Sequence, residues 1–367
     1  MELAGSGGSG SVCNAGAQWA WQDKGRDESR PGRRKRLRYG AMRLVFLGTP
    51  AFAVPTLEKI LEGGHSVVAV VTQPDRPKGR GQALATSPVK DAALRANLPV
   101  FQPERIRRPE GVAHLAELGA EAMVVVGYGQ IIPQSIIDLA PHGILNVHAS
   151  LLPKYRGAAP IQWSVVNGET VTGVTTMRID AGLDTGDMLL RAETAIGAEE
   201  TAIELGRRLA VLGADLLAET LERLEAGALT PEKQDPSQAT YAPILKKEDG
   251  LIDWRWPAEA IHNRVRGLQP WPGGHTTFRG QSLNVWKTRS GAGLPACAVA
   301  LREATAQAGR PAPPGTIHRI KPLLIVCGNG LLELQEVQSE GRKRMSAADF
   351  ANGQRLTENE VLGEPRP

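Results

Sequence analysis

The sequence predicts an α/β protein, an open parallel sheet covered by helices on both faces and followed by a smaller β-rich, barrel-like domain. Three observations carry this expectation. Short apolar runs without polar alternation recur through the first half of the chain, as strands buried on both faces require. Helical stretches separate those runs. After residue 243 the pattern changes to short apolar runs and scattered tryptophans between Gly/Pro turns, the texture of a small antiparallel domain.

The elements follow in order from residue 43. Residues 43–47 (RLVFL) form an apolar run closed by Gly48-Thr49-Pro50, and residues 55–61 read as a helix ended by Gly63-Gly64. Residues 66–71 (SVVAVV), 123–126 (MVVV) and 144–147 (ILNV) read as further buried strands, with helices at 87–96 and 111–118 between them. A run over 170–179 (TVTGVTTMRI) is another strand. A long amphipathic helix is expected over 199–226, where Leu205, Leu209, Leu212, Leu216 and Leu217 keep near-helical spacing. Residues 231–243 read as a connector. Beyond it come Trp254, Trp256, Trp271 and Trp286, the apolar runs 283–286 and 323–327, and an Ala/Gly/Pro-rich loop over 290–314. The expected division is a tail over 1–41, a catalytic domain over 42–230, a linker over 231–248 and a second domain over 249–360.

Bulk composition narrows the function classes. The chain of 367 residues is long enough to bury two ordinary cores without disulfides or metals. Its three cysteines, Cys13, Cys297 and Cys327, have no CxxC spacing, which argues against a disulfide framework and against a zinc site. No apolar run approaches membrane-spanning length. The net charge of +4 already resides in residues 1–42, which hold eight Lys/Arg and four acids. Residues 43–240 hold 18 bases and 23 acids, whereas residues 241–367 hold 17 bases and 12 acids. A positive second domain beside an acidic first one hints at a polyanionic partner, with ordinary surface variation as the plainer account. The tail, with GSGGSGS and RPGRRKRLR, cannot bury a core, so disorder is its default. Translation starting at Met42 is the simplest account of it. Its arginines suggest mitochondrial import as an alternative, and Asp23, Asp27 and Glu28 count against that.

Ligands of open parallel sheets bind at the carboxyl ends of the strands. The run over 144–147 leads into Asn146-Val147-His148, and alternation puts Asn146 and His148 on one side. An amide can stabilise a developing oxyanion, and an imidazole can move protons near neutral pH. Read alone, the pair has a bland account: an amide satisfying a turn beside a strand-end histidine. The loop Asp180-Ala181-Gly182-Leu183-Asp184-Thr185-Gly186-Asp187 adds a carboxylate that can hold the histidine and favour its charge. It lacks the spacing of a calcium loop. The loop over 72–81 (TQPDRPKGRG) gathers Arg76, Lys78 and Arg80 among glycines and prolines and suits an anion; a solvated turn explains it equally well. No GxGxxG follows the first strand and no Walker A sequence occurs, so a dinucleotide or nucleoside triphosphate site has no support.

Together, LNVHASLLPKYRGAAPIQW and DAGLDTGDM closely resemble the signature of the folate-dependent formyltransferase family. The segments FLGTPAFAVPTLEKIL, TQPDRPKGRGQ, MVVVGYGQIIP and RKRMSAADF are similar to the tRNA-acting branch of that family. The match runs from Met42 to about Leu356. The resemblance implies a Rossmann-like parallel-sheet formyltransferase domain and an OB-like C-terminal domain that binds tRNA. It implies 10-formyltetrahydrofolate as cosubstrate, no metal, and the amino group of initiator methionyl-tRNA as acceptor, for use in translation initiation. Carried over by position, Asn146, His148 and Asp184 are its catalytic set, and Ser150, Leu151, Leu152 and Pro153 its folate-contacting stretch. Arg76, Lys78, Arg80, Lys246 and Lys247 become candidates for tRNA contact. In the implied mechanism Asn146 and protonated His148 hold the oxyanion while Asp184 orients the histidine. A monomer in the bacterial cytoplasm, with no membrane partner, is the expected setting. Two competing readings remain: a formyltransferase acting on a sugar nucleotide or glycinamide ribonucleotide, and a folate-dependent hydrolase or sensor.

Overall fold

The computed structural model describes residues 41–78, 83–290 and 312–363. Arg80, the tail before residue 41 and most of the Ala/Gly/Pro-rich loop lie outside them, and only the backbone of Lys78 is described. The first half runs β1 (Arg43–Gly48), α1 (Val54–Glu62), β2 (Ser66–Val71), a hairpin of β3 (Arg76–Lys78) and β4 (Ala83–Ala85), α2 (Pro88–Arg95), β5 (Val100–Phe101), α3 (Pro109–Glu117), β6 (Ala122–Val126), α4 (Gln134–Ile137) and β7 (Ile144–His148). It continues with β8 (Arg156–Gly157), α5 (Pro160–Val166), β9 (Val171–Arg178), β10 (Met188–Ala195) and α6 (Ala202–Glu225). The second part holds β11 (Tyr241–Ala242), α7 (Ala258–Gly267), β12 (Gly274–Phe278), β13 (Gln281–Ser290), β14 (Ile317–Arg319), β15 (Leu323–Val326), β16 (Leu331–Ser339), β17 (Met345–Ser346) and α8 (Ala347–Gln354).

The main sheet has seven strands in the order β10-β9-β7-β6-β1-β2-β5. The five from β7 to β5 are parallel, whereas β9 runs antiparallel to both its neighbours, β7 and β10. The sheet is therefore mixed rather than wholly parallel. The cause is β9, which pairs antiparallel with β7 and, across its hairpin, with β10, so that β10 again runs with the parallel strands. Alternation along β1 sends Leu44 and Phe46 to one core, with Leu57 and Ile60 of α1 and Leu205, Leu209 and Leu217 of α6. Val45 and Leu47 go to the other, with Leu115 of α3 and Ile136 of α4. Burial on both faces explains why these strands read as continuous apolar runs. α6 starts at a capping box: the Thr201 hydroxyl accepts from the Glu204 N–H, and the Glu204 carboxylate accepts from the Thr201 N–H. Those bonds satisfy two donors left open at a helix start.

In the second part an antiparallel sheet, ordered β12-β13-β16-β15-β14 with β17 on β16, curves as a half-barrel around a core of its own. Residues 362–363 bridge the gap between its outer strands. Leu362 N–H donates to Gly315 O at 2.8 Å, and Gly363 N–H donates to Thr277 O at 2.8 Å. α7 lies against α5 and so joins the two parts. At that junction Arg266 donates to the carbonyls of Gly197 and Glu200, and His262 sits between Ala198 O and the Thr288 hydroxyl. Burial pushes the His262 pKa down, as expected for a cation short of water.

Candidate active site

β7 lies between β6 and β9, which places Asn146 opposite Met177 and His148 opposite Thr175. Asn146 is partly exposed, and its side-chain amide makes no hydrogen bond to any described residue. His148 is buried at 5% exposure. Its Nε2 lies 2.9 Å from the Tyr155 carbonyl, so Nε2 carries the proton that donates there. Its Nδ1 lies 3.6 Å from Asp184 Oδ2, longer than an ordinary hydrogen bond but close enough for an ion pair with the imidazolium.

Asp184 sits in the turn between β9 and β10 with φ +51°. That left-handed backbone is one that Asp tolerates better than most residues. Three sets of contacts hold the turn. Asp180 Oδ1 accepts from the Gly182 N–H at 3.0 Å and from the Thr185 hydroxyl at 2.8 Å. Gly157 N–H donates to Asp184 Oδ2 at 2.8 Å. Gln234 Nε2 donates to the carbonyls of Asp184 and Gly186, both at 2.8 Å. Two glycines are obligatory in this corner. A Cβ on Gly186 would lie 1.9 Å from the Arg178 carbonyl, and one on Gly157, at φ +116°, 2.7 Å from the Ala242 carbonyl.

The chain after β7 is tied down as tightly. Thr175 Oγ1 donates to Ser150 O at 2.7 Å and accepts from the Leu152 N–H at 3.2 Å. The Ser150 hydroxyl donates to Lys154 O at 2.6 Å. Ser150 and Leu152 are buried, whereas Leu151 and Pro153 keep part of their surface open. The Tyr155 hydroxyl donates to Glu169 Oε1 at 2.8 Å, and burial pushes its pKa up to about 12. It therefore stays a donor at neutral pH, and Tyr155 is fixed at both ends with its carbonyl under His148.

The segment expected as a linker is woven into the site. β8 and β11 pair in parallel, Arg156 with Tyr241 and Gly157 with Ala242. Glu232 and Met188 exchange backbone hydrogen bonds, both 2.8 Å. Gln234 reaches from the same segment to the Asp184 turn, and its Oε1 accepts from Arg156 Nε at 3.0 Å and Nη2 at 2.7 Å. The sequence reading missed Tyr155, Arg156 and Gln234 as parts of the site. Tyr155 and Arg156 had a signal in their place inside the motif segment over 145–163, whereas Gln234, in the connector, had none.

Of the basic candidates, Arg76, Lys246 and Lys247 make no contact with this cluster. Arg76, on β3, pairs with Glu104 at 3.1 Å while more than half exposed. Lys246 and Lys247 are exposed, at the start of a short 3-10 turn after β11. Among the described residues no group of three His, Cys, Asp or Glu is arranged to hold a metal ion, and no helix is long and apolar enough to cross a membrane.

Comparison with known proteins assigns this arrangement to a family. Residues 42–221 match the formyl transferase family model, and residues 244–355 match the formyl transferase C-terminal domain. A methionyl-tRNA formyltransferase of Solibacter usitatus is 69% identical over 323 residues, covering 88% of this chain and 99% of that protein. One from Geobacter metallireducens is 50% identical over 322 residues, covering 87% and 98%. Among solved structures, a sugar 3N-formyl transferase, WlaRD, superposes with a TM-score of 0.58 at 18% identity, covering 83% of this chain and all of that one. An N-formyltransferase from Helicobacter canadensis gives 0.57 at 18% identity, covering 80% and 99%. The distant structures share the fold, and the near relatives share the sequence over almost their whole length: the chain belongs to the methionyl-tRNA formyltransferase family.

Proposed function

We propose that this protein transfers the formyl group of 10-formyltetrahydrofolate to the amino group of initiator methionyl-tRNA, with Asn146, His148 and Asp184 as its catalytic residues. The observation that carries the reading is a buried imidazole 3.6 Å from a carboxylate, preceded by two residues on the same strand by an amide that bonds to no described residue. Those groups fit a folate formyl donor. The Asn146 amide has a hydrogen bond to give, and Leu151 and Pro153 keep apolar surface open in the stretch that follows. When bound, the cosubstrate supplies a formyl group on a nitrogen able to leave with its electron pair.

The protein's residues do the rest. Asn146 donates an N–H to the formyl oxygen as negative charge builds there. His148 keeps Nε2 on the Tyr155 carbonyl. Its Nδ1–H, 3.6 Å from Asp184 Oδ2 and too far for an ordinary hydrogen bond there, is the remaining imidazolium donor for the same oxygen. Asp184 balances the imidazolium charge and takes the amine proton, directly or through water, and a proton is returned to the folate nitrogen as its bond to the formyl carbon breaks. Ser150 and Leu152 shape the folate stretch from beneath, because their side chains are buried.

The acceptor reading draws on charge. The second domain carries the surplus of bases, and Arg342, Lys343 and Arg344 stand exposed on the turn between β16 and β17. Arg344 also stacks over Trp286 at 4.0 Å. Such a surface grips a phosphate backbone by releasing counterions. In the same reading Arg76, Lys78 and Arg80 position the acceptor end, with Lys246 and Lys247 along the stem. Raising salt from 50 to 200 mM is expected to raise KM for methionyl-tRNA by about tenfold or more, while folate binding, followed by fluorescence, changes little. A KM for tRNA that ignores salt would contradict the tRNA assignment.

A further inference from the structure

We propose that Gln234 is a positioning residue for the reaction. Its carboxamide clamps the Asp184 turn from a segment that carries no catalytic group itself. The proposal rests on the reading of Asp184 as catalytic.

The geometry uses most of what a glutamine offers. Both N–H bonds are spent on one turn, to Asp184 O and Gly186 O at 2.8 Å each. The carbonyl end accepts two N–H groups of one guanidinium, from Arg156 Nε and Nη2. Arg156 is only 4% exposed, and among the described residues no carboxylate lies within ion-pair distance of it. A buried cation left to a neutral amide is an unusual choice for stability alone. Here the cation fixes the glutamine and so which way round its amide sits. With Oε1 facing the guanidinium, Nε2 must face the two carbonyls.

The anchor is local to the site at both ends. Arg156 neighbours Tyr155, whose carbonyl holds His148 Nε2, and Gly157, whose N–H holds Asp184 Oδ2. Arg156 and Gly157 are also the two residues of β8 paired with β11. One side chain thus joins the strand that seats the histidine to the turn that seats the carboxylate. The turn needs the help. Asp184 has a left-handed backbone, a conformation that persists when its surroundings over-determine it. A carboxylate at 3.6 Å is also sensitive to small displacements, since a misplacement of about 1 Å in a catalytic constellation costs about 10²-fold.

Two substitutions separate positioning from bulk structure. Gln234→Glu keeps acceptors for Arg156 and removes both donors to the turn. Gln234→Ala removes both. In the full-length protein each is expected to lower kcat by about 10- to 100-fold, with KM for methionyl-tRNA and folate affinity within about twofold of wild type. In an Asp184→Ala background, adding Gln234→Ala is expected to cost less than about a further twofold, because both act through one group. Hydrogen exchange gives a readout that needs no acceptor: amides of residues 180–187 should exchange about tenfold faster in Gln234→Glu.

Near-normal kcat in Gln234→Glu, or single losses that multiply in the double variant, would overturn the proposal. So would unchanged exchange over residues 180–187. If instead those amides loosen while Asp184→Ala itself keeps near-normal turnover, the clamp stands and the catalytic reading of Asp184 falls.

Discussion

Alanine at His148 or at Asp184 is expected to lower kcat/KM by about 10³–10⁴-fold, the scale on which a histidine–carboxylate unit loses function when one member goes. The two losses should not multiply. His148 Nδ1 and Asp184 Oδ2 face each other at 3.6 Å, and the imidazole's other nitrogen is already committed to a backbone carbonyl. Without Asp184 the imidazolium loses its counter-charge; without His148 the carboxylate has nothing to hold in charge. Steady-state kinetics of the two single variants and the double variant check this. A double variant whose loss equals the product of the singles would show that the residues act separately. A folded-state control matters because both groups lie largely buried, so near-wild-type far-UV circular dichroism is part of the expected result.

Asn146→Ala should cost about 10²–10³-fold in kcat, the usual loss on removing one oxyanion donor, with little change in stability. The reasoning differs from that for His148. The Asn146 amide bonds to no described residue, so removing it strands no partner inside the fold. Asn146→Asp is the sharper variant. It keeps the shape, replaces the donor by an acceptor and places negative charge where the oxyanion forms. It should be at least as damaging as alanine. Near-normal turnover in either variant would remove Asn146 from the mechanism.

Much of the fold was legible because the physics is local. The strands β1, β2, β6 and β7 are buried on both faces and so spell uninterrupted apolar runs. Asn146 and His148 were legible as a pair because strand alternation is itself local, and the Asp184 turn because its glycines mark it. The missed elements have weak patterns. β10 lies at the sheet edge with alternate residues exposed, so its run MLLRAETA carries little apolar signal. Helix α7 buries His262, Asn263 and Arg266 at the junction between the two parts, and polar residues in a buried face hide its amphipathic period. The connector misled for a similar reason. Pro231, Lys233, Asp235 and Pro236 read as solvent-facing chain, yet Gln234 bonds to the Asp184 turn. Its partners Arg156 and Asp184 are 78 and 50 residues away. No local periodicity encodes such bonds; they follow only from the folded topology.

The half-barrel shows where composition helps and where it stops. The surplus of bases after residue 240 is a property of the sequence, and the exposed run Arg342–Lys343–Arg344 gives it a place. That the last described residues bridge β12 and β14 could not be read from composition, because the bridge joins Gly363 to a strand more than 80 residues earlier.

The most direct measurement is acceptor choice. Formyl transfer from labelled 10-formyltetrahydrofolate should be followed in parallel with initiator methionyl-tRNA, uncharged tRNA, an amino sugar nucleotide and glycinamide ribonucleotide. The account predicts label on methionyl-tRNA alone, released as formylmethionine on mild deacylation, and its loss in Asn146→Ala and Asp184→Ala. Faster transfer to either small acceptor, or hydrolysis to formate that ignores every acceptor, would contradict it.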